Sequence, residues 1–213
     1  MAQPVGLAEG QQRTLERLRP LVAGDHLYLA GGTAVAHHLG HRRSLDLDLF
    51  SERGGLDLDR VRARLVSGLP DLKVLSITDA TLRVRIAETP VDIVSYPYPP
   101  LEHLGLGPAG FPIAGRLDLA TMKLTAIARR GIRRDFWDLH ALVESGISLD
   151  DAADAYLRRF GVAEADLYHV LRALTYFEDA DREAVFPLGL DQKQWETIKA
   201  YFRAEAPKVL LAR

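Results

Sequence analysis

The chain contains no cysteine. That excludes disulfides, zinc–thiolate centres and thiol nucleophiles, and it fits a cytoplasmic protein. No apolar run approaches the ~20 residues needed to cross a bilayer, so no membrane partner is expected. The leading segment MAQPVGLAEGQQRT has neither a basic n-region nor an apolar h-region, so no signal peptide is expected. A surplus of one charge is also missing. Lys and Arg number 27 against 29 Asp and Glu, a net charge of −2. This argues against a uniformly basic nucleic-acid binder and leaves room for local basic patches. Repeats, heptads and low-complexity tracts are absent too. What remains is ordinary for a folded protein: 213 residues, 47% hydrophobic and 26% charged, enough for one large domain or two small ones.

The most informative stretch is Gly31 to Phe50, GGTAVAHHLGHRRSLDLDLF. A glycine pair opens a short helix, a basic loop follows, and then a strand over Leu45–Phe50 carries Asp46 and Asp48. Side chains alternate along a strand, so the two aspartates share one face and Leu45, Leu47 and Leu49 fill the other. At about 6.5–7 Å and an effective dielectric near 20, two such charges repel by roughly 2–3 kcal/mol. A divalent cation removes that cost. Helix starts hold phosphate because free N–H groups and the positive dipole end point outward, and glycine lets the backbone come close. The Thr33 hydroxyl adds a donor. Read alone, Gly-Gly is a tight turn and Asp-x-Asp a solvated strand face; the ordered combination is what gives the motif weight.

The surrounding pattern is mixed α/β and then helical. Helices are predicted over about Gly10–Val22, Thr33–Leu39 and Leu58–Ser67, and strands over His26–Ala30, Lys73–Ile77, Thr81–Ile86 and Val91–Ser95. A Glu88-Thr89-Pro90 turn makes the last two an antiparallel pair. Tyr96–Arg116 is so rich in proline and glycine that regular structure is not expected there. From Asp118, taken as an N-cap, helices are predicted at Leu119–Arg130, Arg134–Glu144, Leu149–Phe160, Ala163–Phe177 and Gln192–Arg203. The domains are set at 1–117, a catalytic lobe, and 118–213, a helical lobe completing the nucleotide site.

Three further groups could carry chemistry. Asp92, inside the β-branched run Val91-Asp92-Ile93-Val94, is a poor choice for packing. It would supply a third carboxylate on a neighbouring strand, or simply mark an edge. Lys123, on a mostly apolar helix, reads as a flexible cation for a triphosphate or as a snorkelling side chain. In Arg129-Arg130-Gly131-Ile132-Arg133-Arg134-Asp135-Phe136-Trp137-Asp138, Asp135 and Asp138 share a helical face, as site residues or as dipole-complementing acids. The four arginines form a solvated surface or an RNA-phosphate patch, which His41-Arg42-Arg43 would extend. His37 and His38 read as packing or surface residues, and His140 with Glu144 one turn on makes a two-residue zinc pattern that lacks a third ligand. Tyr96 and Tyr98 read as loop packing, with base stacking as the alternative.

Four blocks, LAGGTAVAHHLGHRRSLDLDLF, VDIV, LATMKLTAIARRG and RRDFWDL, span about Leu27–Leu139. In this order the chain resembles the AbiEii/AbiGii-toxin-type nucleotidyltransferases of the DNA-polymerase-β-like superfamily. The resemblance implies a two-lobed α+β fold: a nucleotidyltransferase-type mixed sheet with flanking helices, a helical C-terminal lobe, and an active site between the lobes. It implies that Gly31 and Gly32 hold phosphate, with Thr33 and Ser44 counted among the nucleotide-binding residues. Asp46, Asp48 and Asp92 would bind magnesium, as two ions, Lys123 would contact the triphosphate, and Asp135 would be the acidic position of the last block. In some relatives a serine placed like Ser44 is a regulatory phosphorylation target. The implied activity is magnesium-dependent transfer of a nucleoside monophosphate from an NTP onto an acceptor hydroxyl, with tRNA or another RNA favoured, by a toxin paired with an antitoxin protein. A non-catalytic nucleotide-binding module and a γ-phosphate phosphotransferase are the alternatives.

Overall fold

In the computed structural model, residues 7–212 are described. The first part of the segment read for a signal peptide lies outside them. Two compact units divide at Gly115/Arg116.

The first unit is built on a seven-stranded mixed sheet. Its strands are β1 (Leu27–Ala30), β2 (Leu47–Ser51), β3 (Leu72–Ile77), β4 (Thr81–Ile86), β5 (Thr89–Val94), β6 (Gly105–Leu106) and β7 (Pro112–Ile113), in the order β3-β4-β5-β2-β1-β7-β6. Three helices accompany it: α1 (Glu9–Val22), α2 (Gly31–Leu39) and α3 (Leu58–Gly68). The sheet is amphipathic by the period-2 rule. Leu47, Leu49, Leu82, Val84, Ile86, Val91 and Ile93 are buried, with Leu15 and Leu18 of α1 and Val61 and Leu65 of α3. Asp48, Arg83 and Asp92 alternate with the buried positions of their strands. Most pairings are antiparallel, but β2 and β5 run parallel, which requires the crossover supplied by α3, β3 and β4.

The proline- and glycine-rich stretch departs from expectation. It adds β6 and β7 to the sheet, with β7 parallel to β1 at Leu29↔Ile113. Two-residue strands leave no periodicity to read in the sequence. Here the Ala114 N–H donates to the Leu29 carbonyl at 3.0 Å. The turn before β5 is also shifted. Ala87, at φ +48°, carries it, and Thr89 and Pro90 are already strand.

The second unit is helical: α4 (Arg116–Arg130), α5 (Arg133–Glu144), α6 (Leu149–Phe160), α7 (Glu164–Ala173), α8 (Glu178–Asp181) and α9 (Gln192–Leu211). Its aromatic core centres on Phe136, with Phe177, Trp195 and Phe202 at ring separations of 5.1, 5.7 and 5.7 Å. Three expectations change, the first being that the helix expected over Ala163–Phe177 ends at Ala173 and Phe177 caps the separate α8. Asp118 lies inside α4 rather than capping it, fully buried, with Arg159 Nη1 2.8 Å from its Oδ1. Helix α9 continues through Pro207 to Leu211 because Ala206 and Val209 are buried in the core; that burial outweighs the missing N–H. Among the described residues, no helix is long and apolar enough to cross a membrane.

Candidate active site

The acidic motif sits where β1, β2 and β5 meet. Ala30 pairs with Asp48, and Asp48 pairs in register with Asp92. Cross-strand partners share a face, so the Asp48 and Asp92 side chains stand next to each other on the face that β2 and β5 leave outside the core. Asp46 does not belong to β2. It sits on a bend just before the strand, and the preceding Leu45, expected to fill the apolar face, is 77% exposed.

The Asp46 backbone carbonyl explains the bend. It accepts hydrogen bonds from Thr33 Oγ1 and, at 3.1 Å, from Gln11 Nε2. Both donors are buried, one on α2 and one on α1, so two helices fix the loop that carries the first carboxylate. The Asp46 side chain accepts a hydrogen bond from Ser44 Oγ at 2.9 Å. Thr33 and Ser44, expected on the nucleotide, are therefore bound to Asp46 in this structure. Gln11 was missed in the sequence. A buried glutamine on an otherwise amphipathic helix was the signal available.

Gly31 opens α2 at φ +62°. A Cβ built there would lie 2.0 Å from Asp48 Oδ2 and 2.7 Å from its Cγ. Glycine is thus required twice, by the left-handed backbone and by the carboxylate packed against its Cα. Gly32 and Thr33 follow in the first turn, and Gly40 at φ +63° closes the helix by donating to the Ala36 carbonyl at 2.8 Å. Asp48 therefore lies against the positive end of α2.

Burial pushes the Asp92 carboxyl above the ordinary carboxylate range. Arg83, with Nε 3.1 Å from Oδ2, pulls it back, and the nearby charge of Asp46 raises it further. Among the described residues, no three His, Cys, Asp or Glu side chains already converge as a metal cage. Magnesium is commonly held by one or two carboxylates together with waters and substrate phosphates. The carboxylates of Asp46, Asp48 and Asp92 are the oxygen donors that would be available to such an ion.

The second unit holds Lys123 and Asp135, and here the structure departs from the flexible cation expected. Lys123 is buried, its Nζ 3.0 Å from Asp135 Oδ1 and 2.7 Å from Asp138 Oδ2. Arg130 reaches Asp135 through Nε at 2.7 Å and Nη2 at 3.0 Å. Burial alone would depress the Lys123 ammonium, but Asp138 and Asp135 outweigh it and hold its pKa above the ordinary value. Burial would raise Asp135, but Lys123 and Arg130 keep it below the usual range. Two arginines of the basic run are also accounted for. Arg130 belongs to this network. Arg133 is buried, donates to the Glu183 and Asp181 carbonyls at 2.7 and 3.2 Å, and stacks 4.0 Å over Phe186.

The other aromatic and histidine residues singled out in the sequence divide between packing and surface, with His37, His38 and Tyr98 exposed. His38 Nε2 lies 2.8 Å from the Ala114 carbonyl, and His140 stacks edge-on against Tyr201 at 5.1 Å. Tyr96 makes edge contacts with Phe50 and Tyr98.

The chain is similar to known proteins along most of its length. The model of the family described as "Nucleotidyl transferase AbiEii toxin, Type IV TA system" matches residues 13–212. The uncharacterized protein aq_aa25 of Aquifex aeolicus (strain VF5) is 30% identical over 207 residues, covering 96% of this chain and 98% of that protein. Among solved structures, the nucleotidyltransferase toxin MenT4 of Mycobacterium tuberculosis aligns with a TM-score of 0.59 at 19% identity, covering 92% of this chain and 82% of that one. The antibiotic-resistance factor ANT(2'')-Ia aligns at 0.55 and 14% identity, covering 75% and 96%. These likenesses show a nucleotidyltransferase fold, and with the match along nearly its whole described length the chain belongs to the AbiEii toxin family of nucleotidyltransferases.

Proposed function

We propose that the protein transfers a nucleoside monophosphate from an NTP to an acceptor hydroxyl in a magnesium-dependent reaction, with RNA, tRNA foremost, as acceptor, and that an antitoxin protein restrains it. The observation that carries this reading is the in-register Asp48–Asp92 pair beside the glycine-opened start of α2. Asp46 and Asp48 would hold magnesium, with Asp92 as the third ligand. Bound there, the metal would neutralise triphosphate charge and activate the attacking hydroxyl. The chain's own groups do the positioning. Gly31, Gly32 and Thr33 present backbone N–H groups at the helix start, where the phosphates of the NTP would lie. Gln11 and Thr33 fix the Asp46 backbone, and Asp92 is placed to accept the proton of the acceptor hydroxyl. The Lys123–Asp135–Asp138 network is given a structural role.

The test incubates the protein with each α-labelled and γ-labelled NTP, magnesium and total RNA. Label from the α-phosphate entering RNA is expected, and Asp46→Asn or Asp48→Asn should abolish it while thermal unfolding is unchanged or slightly raised. Transfer of γ-label, or near-normal transfer by either variant, refutes the assignment.

A further inference from the structure

Among side chains that the proposed chemistry leaves unused, a basic strip on the sheet stands out. Arg83 pairs in register with Asp92, and Lys73 pairs in register with Arg85. Arg83 and Arg85 are two positions apart on β4, so their side chains share a face about 6.8 Å apart. The face is that of Asp92, because Arg83 reaches the Asp92 carboxylate directly. The register shift in β3 falls between Val74 and Ser76, beyond Lys73, so it does not move Lys73 off this face. Leu82, Val84 and Ile86, which alternate with the arginines, are buried, and α3 packs with β3 and β4.

The charge on this strip is not compensated locally. In β3, β4 and β5 the only acidic residue is Asp92. The side chains of Lys73 and Arg85 make no ion pair or hydrogen bond among the described residues. The Arg83 side chain is 60% exposed despite its bond to Asp92. β3 is the edge of the sheet, and Lys73 is exposed. Three cations therefore extend from the acidic pair to the open edge, across two strand spacings of about 4.8 Å each.

We infer that the β3–β4 face, through Lys73, Arg83 and Arg85, is the docking track for the phosphate backbone of a single-stranded RNA end whose terminal hydroxyl enters beside Asp92. The inference rests on the nucleotidyl-transfer reading. A chain with one anionic charge per nucleotide suits cations repeated along a flat strand face, and it can carry a hydroxyl at its end. An acidic protein segment is the competing occupant.

The test measures binding without chemistry. A fluorescein-labelled RNA hairpin with a single-stranded 3′ tail is titrated in fluorescence anisotropy against the transfer-dead Asp46→Asn/Asp48→Asn protein at several salt concentrations. Lys73→Ala/Arg85→Ala in that background should weaken binding roughly tenfold at 0.1 M salt. It should also reduce the slope of log K against log salt by about 1.4, at about 0.7 for each phosphate no longer neutralised. Arg60→Ala on α3 is the control and should leave the slope unchanged. An unchanged slope in the Lys73/Arg85 variant, no RNA binding by the parent, or α-label entering protein instead of RNA overturns the inference. The last result would leave nucleotidyl transfer standing. Absence of transfer by the wild-type protein together with an intact salt effect would instead overturn the reaction and keep the RNA track.

Discussion

Replacing Lys123 by Met tests whether this buried cation serves stability or substrate. The side chain is 6% exposed, and its two carboxylate partners are fully buried. With Arg130 included, the network contains two cations and two anions. Methionine fills the space of the lysine stem but leaves one uncompensated negative charge in the helical core. Removing one partner of a buried pair costs about 3–5 kcal/mol. For a chain of this length, each kcal/mol lowers the melting temperature by about 2–4 °C, so differential scanning calorimetry should show a drop of about 6–20 °C. The pH dependence carries the sign. In the wild type, Asp135 is held below its ordinary pKa, so its stabilisation is present above the unfolded carboxylate value and is lost as the pH falls through the folded one. In the variant the carboxylates lose Lys123 and are raised by burial, so they take up protons at a higher pH. The stability gap between the two proteins should therefore be wider at pH 8 than at pH 5. A Lys123→Met protein that melts with the wild type but binds NTP poorly would refute this reasoning and restore Lys123 as a phosphate contact.

Gly31→Ala places a methyl group against the Asp48 carboxylate at a positive φ; it should lower stability by about 1–3 kcal/mol in chemical denaturation and cut label transfer at least a hundredfold, and wild-type transfer would remove Asp48 from the site. Thr33→Val and Gln11→Ala each remove one donor to the Asp46 carbonyl. Each should destabilise by about 1–3 kcal/mol and lower kcat more than it raises the KM for NTP, and unchanged kinetics in the double variant would show that the bend holds itself.

The sequence was most legible where period and burial agree. The alternation in Thr81–Ile86 corresponds residue for residue to β4, and Leu149–Phe160 to α6, which starts at the Ser148 cap and ends at Gly161, at φ +61°. Asp48 and Asp92 could be singled out because each interrupts an apolar strand, but their in-register pairing is visible only in the sheet. The bend at Asp46 was hidden, since its two donors lie 13 and 35 positions away and only tertiary packing brings them there. The burial of Lys123 was hidden for the same reason. A lysine at an inward position of an amphipathic helix looks like any snorkelling lysine until Asp135 and Asp138 arrive from the next helix. Pro207 misled in the opposite direction, because local propensity argues for a stop where the core still has Ala206 and Val209 to cover.

The parallel pairing of β2 with β5 also sets when the acidic pair can form during synthesis. Its acidic register closes only after the ribosome has delivered α3, β3, β4 and β5 and the returning strand has slotted in beside β2. Long loops of this kind are slow to close. A nascent or partly unfolded chain can already have β1 paired with β2 and still lack the Asp48–Asp92 juxtaposition, so on the proposed reading a chain released early would carry an incomplete site.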